Sequence, residues 1–133
     1  MKITIEDLRQ YRSRVIEMSS ITIEINTTYT ELPTTGKESN GGRSLTPGDP
    51  TVKKVHKIEN LIKKRNELAE AVQRVDDWLI ETPRSDIAAI CRYHYVLGYS
   101  WQRTSWTVYG KGNGSTCRHI VERYFKYCPK VDR

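Results

Sequence analysis

The chain has 133 residues, of which 37% are hydrophobic and 29% charged. This length excludes two large domains and allows one compact domain, or a small domain joined to a helical segment. No run approaches the ~20 consecutive apolar residues that cross a bilayer, and the opening MKITIEDLRQ lacks the apolar stretch of a secretory signal. We therefore expect a cytoplasmic protein that has no membrane partner.

The formal net charge of +6 comes entirely from the C-terminal part of the chain. Residues 1–83 carry 13 Lys/Arg and 13 Asp/Glu, whereas residues 84–133 carry 9 Lys/Arg and 3 Asp/Glu. Positive charge concentrated on a small module favours a polyanion, and nucleic acid is the commonest polyanion in the cytosol. A surface that is basic only for solubility is the alternative.

The first segment, residues 4–32, has the spacing of a long helix. Thr4 and Asp7 stand at the positions of a capping box. The β-branched residues 21–25 would also suit a strand, but the periodicity favours a helix. A heptad seam with alternating steps of three and four follows the cap: Leu8, Tyr11, Val15, Met18, Thr22, Ile25, Tyr29 and Leu32.

A second helix is predicted over residues 51–82. Asp49 and Pro50 suit its N-cap and first helical position. Its apolar residues also recur three and four apart: Val55, Ile58, Leu61, Ile62, Leu68, Val72, Val75 and Leu79. The segment between the helices, residues 33–50, is rich in Gly, Ser, Thr and Pro, so we expect a mobile loop. Residues 1–82 are therefore predicted to form an antiparallel, coiled-coil-like hairpin whose spare apolar surface makes the protein a homo-oligomer.

Capping residues, glycines and prolines divide the basic region, residues 84–133, into three short helices. The expected N-caps are Ser85 or Asp86, Ser100, and Ser115 or Thr116, and the expected stops are Gly98, the GKGNG segment and Pro129. Three short helices with tight turns are typical of a helix-turn-helix domain. The predicted fold is therefore all-α, a long helical hairpin followed by a small helix-turn-helix domain.

Other kinds of site fit the sequence less well. No GxxxxGK[ST] motif is present, and no Ser/His/Asp or Cys/His arrangement has a catalytic context, so we expect no enzyme and no cofactor. Zinc would need ligands drawn from scattered residues, without the usual short C-x2-C or H-x3-H pairs: Cys91, His94, Cys117, His119 and Cys128. We therefore expect no metal, and we interpret the cysteines as reduced thiols.

Residues 92–127, RYHYVLGYSWQRTSWTVYGKGNGSTCRHIVERYFKY, resemble the end domain of phage transcriptional regulators of the RinA and ArpU type. That domain is itself similar to the promoter-reading helix-turn-helix of bacterial sigma factors. The matching residues, with small shifts, are Arg92, Tyr93, Gly98, Ser100, Trp101, Arg118, Arg123 and Phe125. The chain departs from the pattern at Thr104 and Ser105, where an aliphatic residue and alanine are usual, and at Tyr109, where glycine is usual.

The resemblance implies that the last helix is a recognition helix whose first turns meet base edges in the major groove. Arg118 can pair with guanine, and Ser115, Thr116 and His119 can donate to bases or phosphates. Arg123 also lies on the predicted outward face. Flanking residues suited to phosphate contacts are Arg103, Lys111, Asn113 and Lys126.

We therefore expect a sequence-specific double-stranded DNA-binding protein, a phage-encoded transcriptional regulator of late genes for which host RNA polymerase is a further candidate partner. Two alternatives stay open. Phage small terminase subunits, which recognise DNA for packaging, combine a helix-turn-helix with a long helical hairpin. The other alternative is a coiled-coil module that binds a host protein and whose basic C-terminal region has no binding role.

Overall fold

The computed structural model describes residues 2–32, 50–110 and 112–127. Within these ranges the regular structure is entirely helical, as predicted. None of the described helices is long and apolar enough to cross a membrane. The elements are α1 (Ile5–Arg9), α2 (Tyr11–Thr30), α3 (Pro50–Glu81), α4 (Ser85–Cys91), a π-helical turn (Arg92–Val96), α5 (Trp101–Tyr109) and α6 (Gly114–Tyr127).

The chain divides into two compact units. The pair unit contains residues 16–69, and the composite unit combines residues 1–15 with residues 70–133. This division differs from the expected boundary at residues 82–84. The reason is that side chains from α1 and the end of α3 fill the core of the C-terminal helices: Leu8, Val75, Trp78 and Leu79 pack with Ile87, Ile90, Cys91, Cys117 and Val121.

In the pair unit, α2 and α3 run antiparallel. Lys57 Nζ lies 2.9 Å from Glu24 Oε2, and Lys54 Nζ lies 3.4 Å from Glu31 Oε1, so residues later in α2 meet residues earlier in α3. The core between the helices contains Ile21, Ile25, Ile58 and Leu68, with Met18, Leu32, Leu61 and Ile62 partly buried. The residues thus form the predicted helical hairpin, and the connecting residues 33–49, with the expected cap Asp49, lie outside the described residues.

The buried side of α2 matches the predicted seam in part, because Ile25 is buried and Met18 and Leu32 are partly buried. Val15 and Tyr29 are exposed, whereas Ile21 and Thr28 are buried, so the prediction was wrong for Val15 and Tyr29. In α2, two neighbouring sides of the helix each have apolar or small residues at alternating spacings of three and four, so the spacing alone does not decide which side is buried. Packing selects the side that places aliphatic Ile21, rather than Thr22, in the core, and that buries small Thr28 rather than Tyr29.

The helix termini follow the capping signals in part. Thr4 and Asp7 form the predicted capping box, and Pro50 begins α3. The first predicted helix is interrupted at Gln10, which separates α1 from α2. Two predicted caps were displaced by one or two residues: α4 follows Arg84, and α6 begins after Asn113. The expected stop at Cys128 and Pro129 lies outside the described residues.

A π-helical turn ends the α4 segment, and no sequence signal predicts it. Leu97 N–H donates to the Arg92 carbonyl at 2.8 Å, five residues back, before Gly98 takes the left-handed conformation at φ 83°. Arg12 Nη1 donates to the Val96 carbonyl at 3.3 Å, which ties the turn to the start of α2. The widened turn sets the position from which α5 begins.

Candidate nucleic-acid interface

α5, the following turn and α6 have the connectivity of a helix-turn-helix, and both helices also pack against α4. Ser100 Oγ accepts from Arg103 N–H at 3.0 Å and caps α5, as predicted. Gly110, in the left-handed conformation at φ 73°, ends α5. This glycine follows Tyr109, at which the resemblance leads one to expect glycine, so the turn is displaced by one residue.

Gly114 lets the first turns of α5 and α6 approach closely. A Cβ atom at this position would lie 2.9 Å from the Gln102 backbone nitrogen and 3.0 Å from the Trp101 carbonyl carbon. Both contacts are with backbone, which cannot rotate away as a flexible side chain can. Gly114 therefore has a packing role, and that role fixes the angle at which α6 leaves the turn.

The two sides of α6 separate apolar from polar residues as its spacing predicts. Cys117 and Val121 are fully buried, and Ile120, Tyr124 and Phe125 pack against the same core. The exposed predicted contact residues are Ser115, Thr116, Arg118, His119, Arg123 and Lys126. The exposed side of α6 is therefore polar and basic, with Glu122 as its half-buried acidic residue.

Arg118 is held along the helix by Glu122. Its Nε donates to Glu122 Oε2 at 3.1 Å, and the Arg118 side chain stays more than half exposed. A pair of this i, i+4 type on an exposed helix stabilises by only a few tenths of a kcal/mol. The guanidinium can therefore exchange Glu122 for a base edge at small cost.

Asn113 and Ser115 are engaged with each other at the start of α6. Asn113 Oδ1 accepts from the Ser115 backbone N–H at 3.2 Å and from its hydroxyl at 2.7 Å. The Asn113 carbonyl oxygen therefore caps the helix, and its amide NH2 is the group suited to a phosphate. Lys111, the third predicted contact near this turn, lies outside the described residues.

Arg103 lies on an aromatic stack at the first turn of α5. Its guanidinium carbon is 3.8 Å from the centre of the Tyr99 ring, and that ring stacks on Tyr93 at 5.5 Å. A cation–π contact of this kind restricts the guanidinium while leaving its charge intact. Arg103 is thus an exposed, oriented cation beside the start of α6.

His94 packs against the start of α5 and against Tyr99. Its ring stacks on Trp101 with centres 3.6 Å apart, and its Nδ1 lies 2.7 Å from the Tyr99 carbonyl oxygen. Because a carbonyl oxygen only accepts, Nδ1 carries the hydrogen. Burial lowers the pKa of His94, although the bond to Tyr99 opposes the shift. The ring is therefore a packing element that disfavours a proton.

The remaining zinc candidates are separated by their environments. Cys91 and Cys117 are buried free thiols, and burial raises the pKa of Cys91 to about 12. Burial also raises the pKa of Cys117, although a hydrogen bond with the Ser105 side chain opposes this shift. His119 is exposed, and Cys128 lies outside the described residues. Among the described residues, no group of three or more His, Cys, Asp or Glu could hold a metal ion.

The two polar departures from the resemblance lie in the core. Thr104 and Ser105 are fully buried on the inner side of α5. Within the described part of the chain, the Thr104 hydroxyl has no hydrogen-bond partner. A buried hydroxyl without a partner costs free energy, so α5 packs less favourably than it would with the aliphatic residue usual at this position.

Two grooves adjoin α6, and sequence reasoning missed both. A groove of about 600 Å³ is lined by Ser105, Tyr109, Asn113, Thr116 and Ile120. A second groove, of about 380 Å³, is lined by Arg84, Ile120, Arg123, Tyr124 and Tyr127. The α6 residues that line the two grooves, from Thr116 to Tyr127, are spaced three or four apart and so share one side of the helix. No sequence signal, however, places Arg84 next to that side.

Comparison with known proteins identifies no relative: no family model, no curated protein and no solved structure matches the chain.

Proposed function

We propose that this protein binds double-stranded DNA sequence-specifically by inserting α6 into the major groove. The observation that carries the proposal is the exposed basic side of α6 on a packed three-helix unit. The composite unit, residues 1–15 and 70–133, carries 14 Lys/Arg against 9 Asp/Glu and so holds most of the net charge. Such a field attracts a polyanion before any specific contact forms.

The dimensions of the two partners also agree. The major groove is about 12 Å wide and admits one α-helix. Ser115, His119 and Arg118 lie in the first turns of α6, where they would meet base edges. Arg103 and Lys126 lie at the margins, where they would contact phosphates, which supply affinity without sequence information.

The biological role we propose is that of a phage-encoded regulator of late genes in the bacterial cytoplasm, with host RNA polymerase as a further partner. The resemblance of residues 92–127 to RinA- and ArpU-type regulators supports this role. Exposed apolar side chains on α2 support self-association, since Ile16 is 62% and Ile23 is 65% exposed.

A DNA-packaging recognition subunit is the second candidate, because the helical pair of α2 and α3 accompanies the helix-turn-helix. The assembly state separates the two roles. Light scattering that finds a large ring would favour packaging, whereas a dimer or tetramer would favour regulation.

The direct test is duplex binding by the full-length protein. A 50-residue fragment from residue 84 would lack Leu8, Val75, Trp78 and Leu79 of its own core, so the whole chain is the correct reagent. We expect selection from a random duplex pool to enrich one sequence, and the logarithm of affinity to fall linearly with the logarithm of salt concentration. Absence of affinity for every duplex at low salt would refute the proposal and favour the coiled-coil interaction module.

A further inference from the structure

The groove of about 380 Å³ beside the second half of α6 combines two guanidinium groups with two tyrosines. We call it the Tyr–Arg groove; it is lined by Arg84, Ile120, Arg123, Tyr124 and Tyr127. Arg84 comes from the link between α3 and α4, and the other four residues come from α6. Arg84 was not among the residues predicted to contact DNA.

Arg84 is fixed at the wall of this groove. Its Nε and Nη2 each donate to the Asp86 carboxylate at 3.0 Å, and its guanidinium carbon lies 5.7 Å from the centre of the Tyr124 ring. Asp86 compensates part of the positive charge, but Arg123 and nearby Lys126 add two more cations. Lys126 Nζ lies 5.4 Å from the centre of the Tyr127 ring. The groove therefore has a positive balance and two phenol groups.

The position of the groove along α6 indicates what it would meet. A helix that fills the major groove has a sugar–phosphate backbone along each side, because the groove is only about 12 Å wide. One side of α6 carries Arg118 and Glu122, which neutralise each other. The other side carries the Tyr–Arg groove, where two more cations, Arg123 and Lys126, accompany the paired Arg84. A phosphate strand is thus better matched in charge to the groove side.

We propose that the Tyr–Arg groove binds the phosphodiester backbone of DNA on one side of α6. Arg84 and Arg123 supply the charged contacts, and the exposed Tyr127 supplies a hydroxyl donor. The inference rests on the proposed function, since it assigns one strand of the same duplex. It adds Arg84 and Tyr127 to the interface and gives α6 a defined orientation in the major groove of DNA.

The test measures affinity of the full-length protein for the selected duplex and for random duplex over a range of salt concentrations. Arg84→Gln should weaken both by about tenfold at low salt and reduce the salt slope by about one, as expected for loss of one phosphate contact. Tyr127→Phe should weaken both by a smaller factor. The matched control is Lys63→Gln, an exposed cation of the pair unit, for which we expect no change.

Asp86→Asn should change the affinity for DNA in the opposite direction. Removing this carboxylate should raise affinity for both duplexes several-fold, because it opposes the phosphate field. Circular dichroism melts check folding, and if Arg84→Gln does not fold, Asp86→Asn and Tyr127→Phe decide. If these variants bind DNA with the affinity and salt slope of the wild-type protein, the inference about the groove is wrong. The proposed function would still stand, because the wild-type protein binds DNA in that case. In that case an acidic protein segment would become the better-matched occupant.

Discussion

Arg118 lies in the first turns of α6, where a guanidinium can reach guanine O6 and N7, yet it is bonded to Glu122. We expect Arg118→Ala to cost ~1 to 3 kcal/mol on the specific site and little on random DNA. Lys126→Ala should weaken both equally and flatten the salt dependence, because its ammonium would contact phosphate. Binding isotherms of both variants on both duplexes measure the difference.

Glu122→Gln is the control for the ion pair. It leaves Arg118 in place and removes only the competing carboxylate, so affinity for the specific duplex should rise. Equal losses on specific and random DNA for Arg118→Ala would exclude Arg118 from the base-reading residues.

We expect His94 to make the free energy of unfolding depend on pH. Burial lowers its pKa from the ordinary 6.5, so the unfolded chain binds more protons than the folded one at mildly acid pH. The stabilising contribution is complete above pH 6.5 and is lost as the pH falls from 6.5 toward the lowered pKa of the folded state. Denaturant unfolding between pH 7.5 and about 5 should show this decline.

His94→Gln should remove that decline, whatever its effect on stability at neutral pH. His119→Gln, at the exposed histidine of α6, is the matched control and should keep it. The same slope in both variants would show that another group is responsible.

At the scale of elements, the approach of α5 and α6 depends on Gly114. Gly114→Ala places a Cβ atom against backbone atoms of Trp101 and Gln102, so the helices must separate. We expect a loss of about 1–3 kcal/mol in the free energy of unfolding, the range for overpacked sites, and weaker specific DNA binding because α6 changes angle. Thermal melts and binding isotherms measure the two effects.

Gly110→Ala separates crowding from backbone strain. A Cβ atom at Gly110 meets no atom within 4 Å, so only the left-handed conformation is penalised, by about 1–2 kcal/mol. Specific DNA binding by folded Gly110→Ala should stay near wild type. A comparable loss of binding in both variants would contradict the role of the close approach.

The helices themselves were predictable because their signals are local. The capping box at Thr4, Pro50 at the start of α3 and the Ser100 cap each depend on a few neighbouring residues. The polar side of α6 likewise followed from spacing alone. The buried side of α2 followed only in part, because two registers satisfy the same pattern and only packing against α3 distinguishes Ile21 from Thr22.

The candidate site was predictable only where it lies on one helix. Arg84 and Tyr127 are 43 positions apart in sequence and line one groove only after α4 and α6 have packed. Tyr99, which supports Arg103, follows the π-helical turn, and no residue pattern in this segment is diagnostic of that turn. Tertiary contacts, rather than local propensity, complete the interface.

At the scale of the whole molecule, α2 has exposed isoleucines, Ile16 and Ile23, which stay in contact with water if the protein is a monomer. We expect a homo-oligomer, and the double variant Ile16→Glu/Ile23→Glu should dissociate it, because buried carboxylates at a subunit interface are strongly disfavoured. Light scattering at micromolar concentration gives the mass of each form. Val15 and Met18, on the predicted seam, are poorer targets because Met18 packs inside the pair unit.

Ile80→Glu is the control for this experiment. Ile80 is 76% exposed but lies in the composite unit, so its substitution should leave the assembly intact. A monodisperse wild-type monomer would contradict self-association altogether.

The composite unit also determines when during synthesis the protein can form the proposed DNA-binding surface. The ribosome releases Leu8 long before its core partners Cys117 and Val121, which follow more than 100 positions later in the chain. The helical pair of residues 16–69 has its core partners within one continuous stretch, so we expect it to fold first while the N-terminal segment waits. A chain that stalls before α6 therefore cannot assemble the unit that carries the proposed interface, and we expect truncated products not to compete with the full-length protein for duplex DNA.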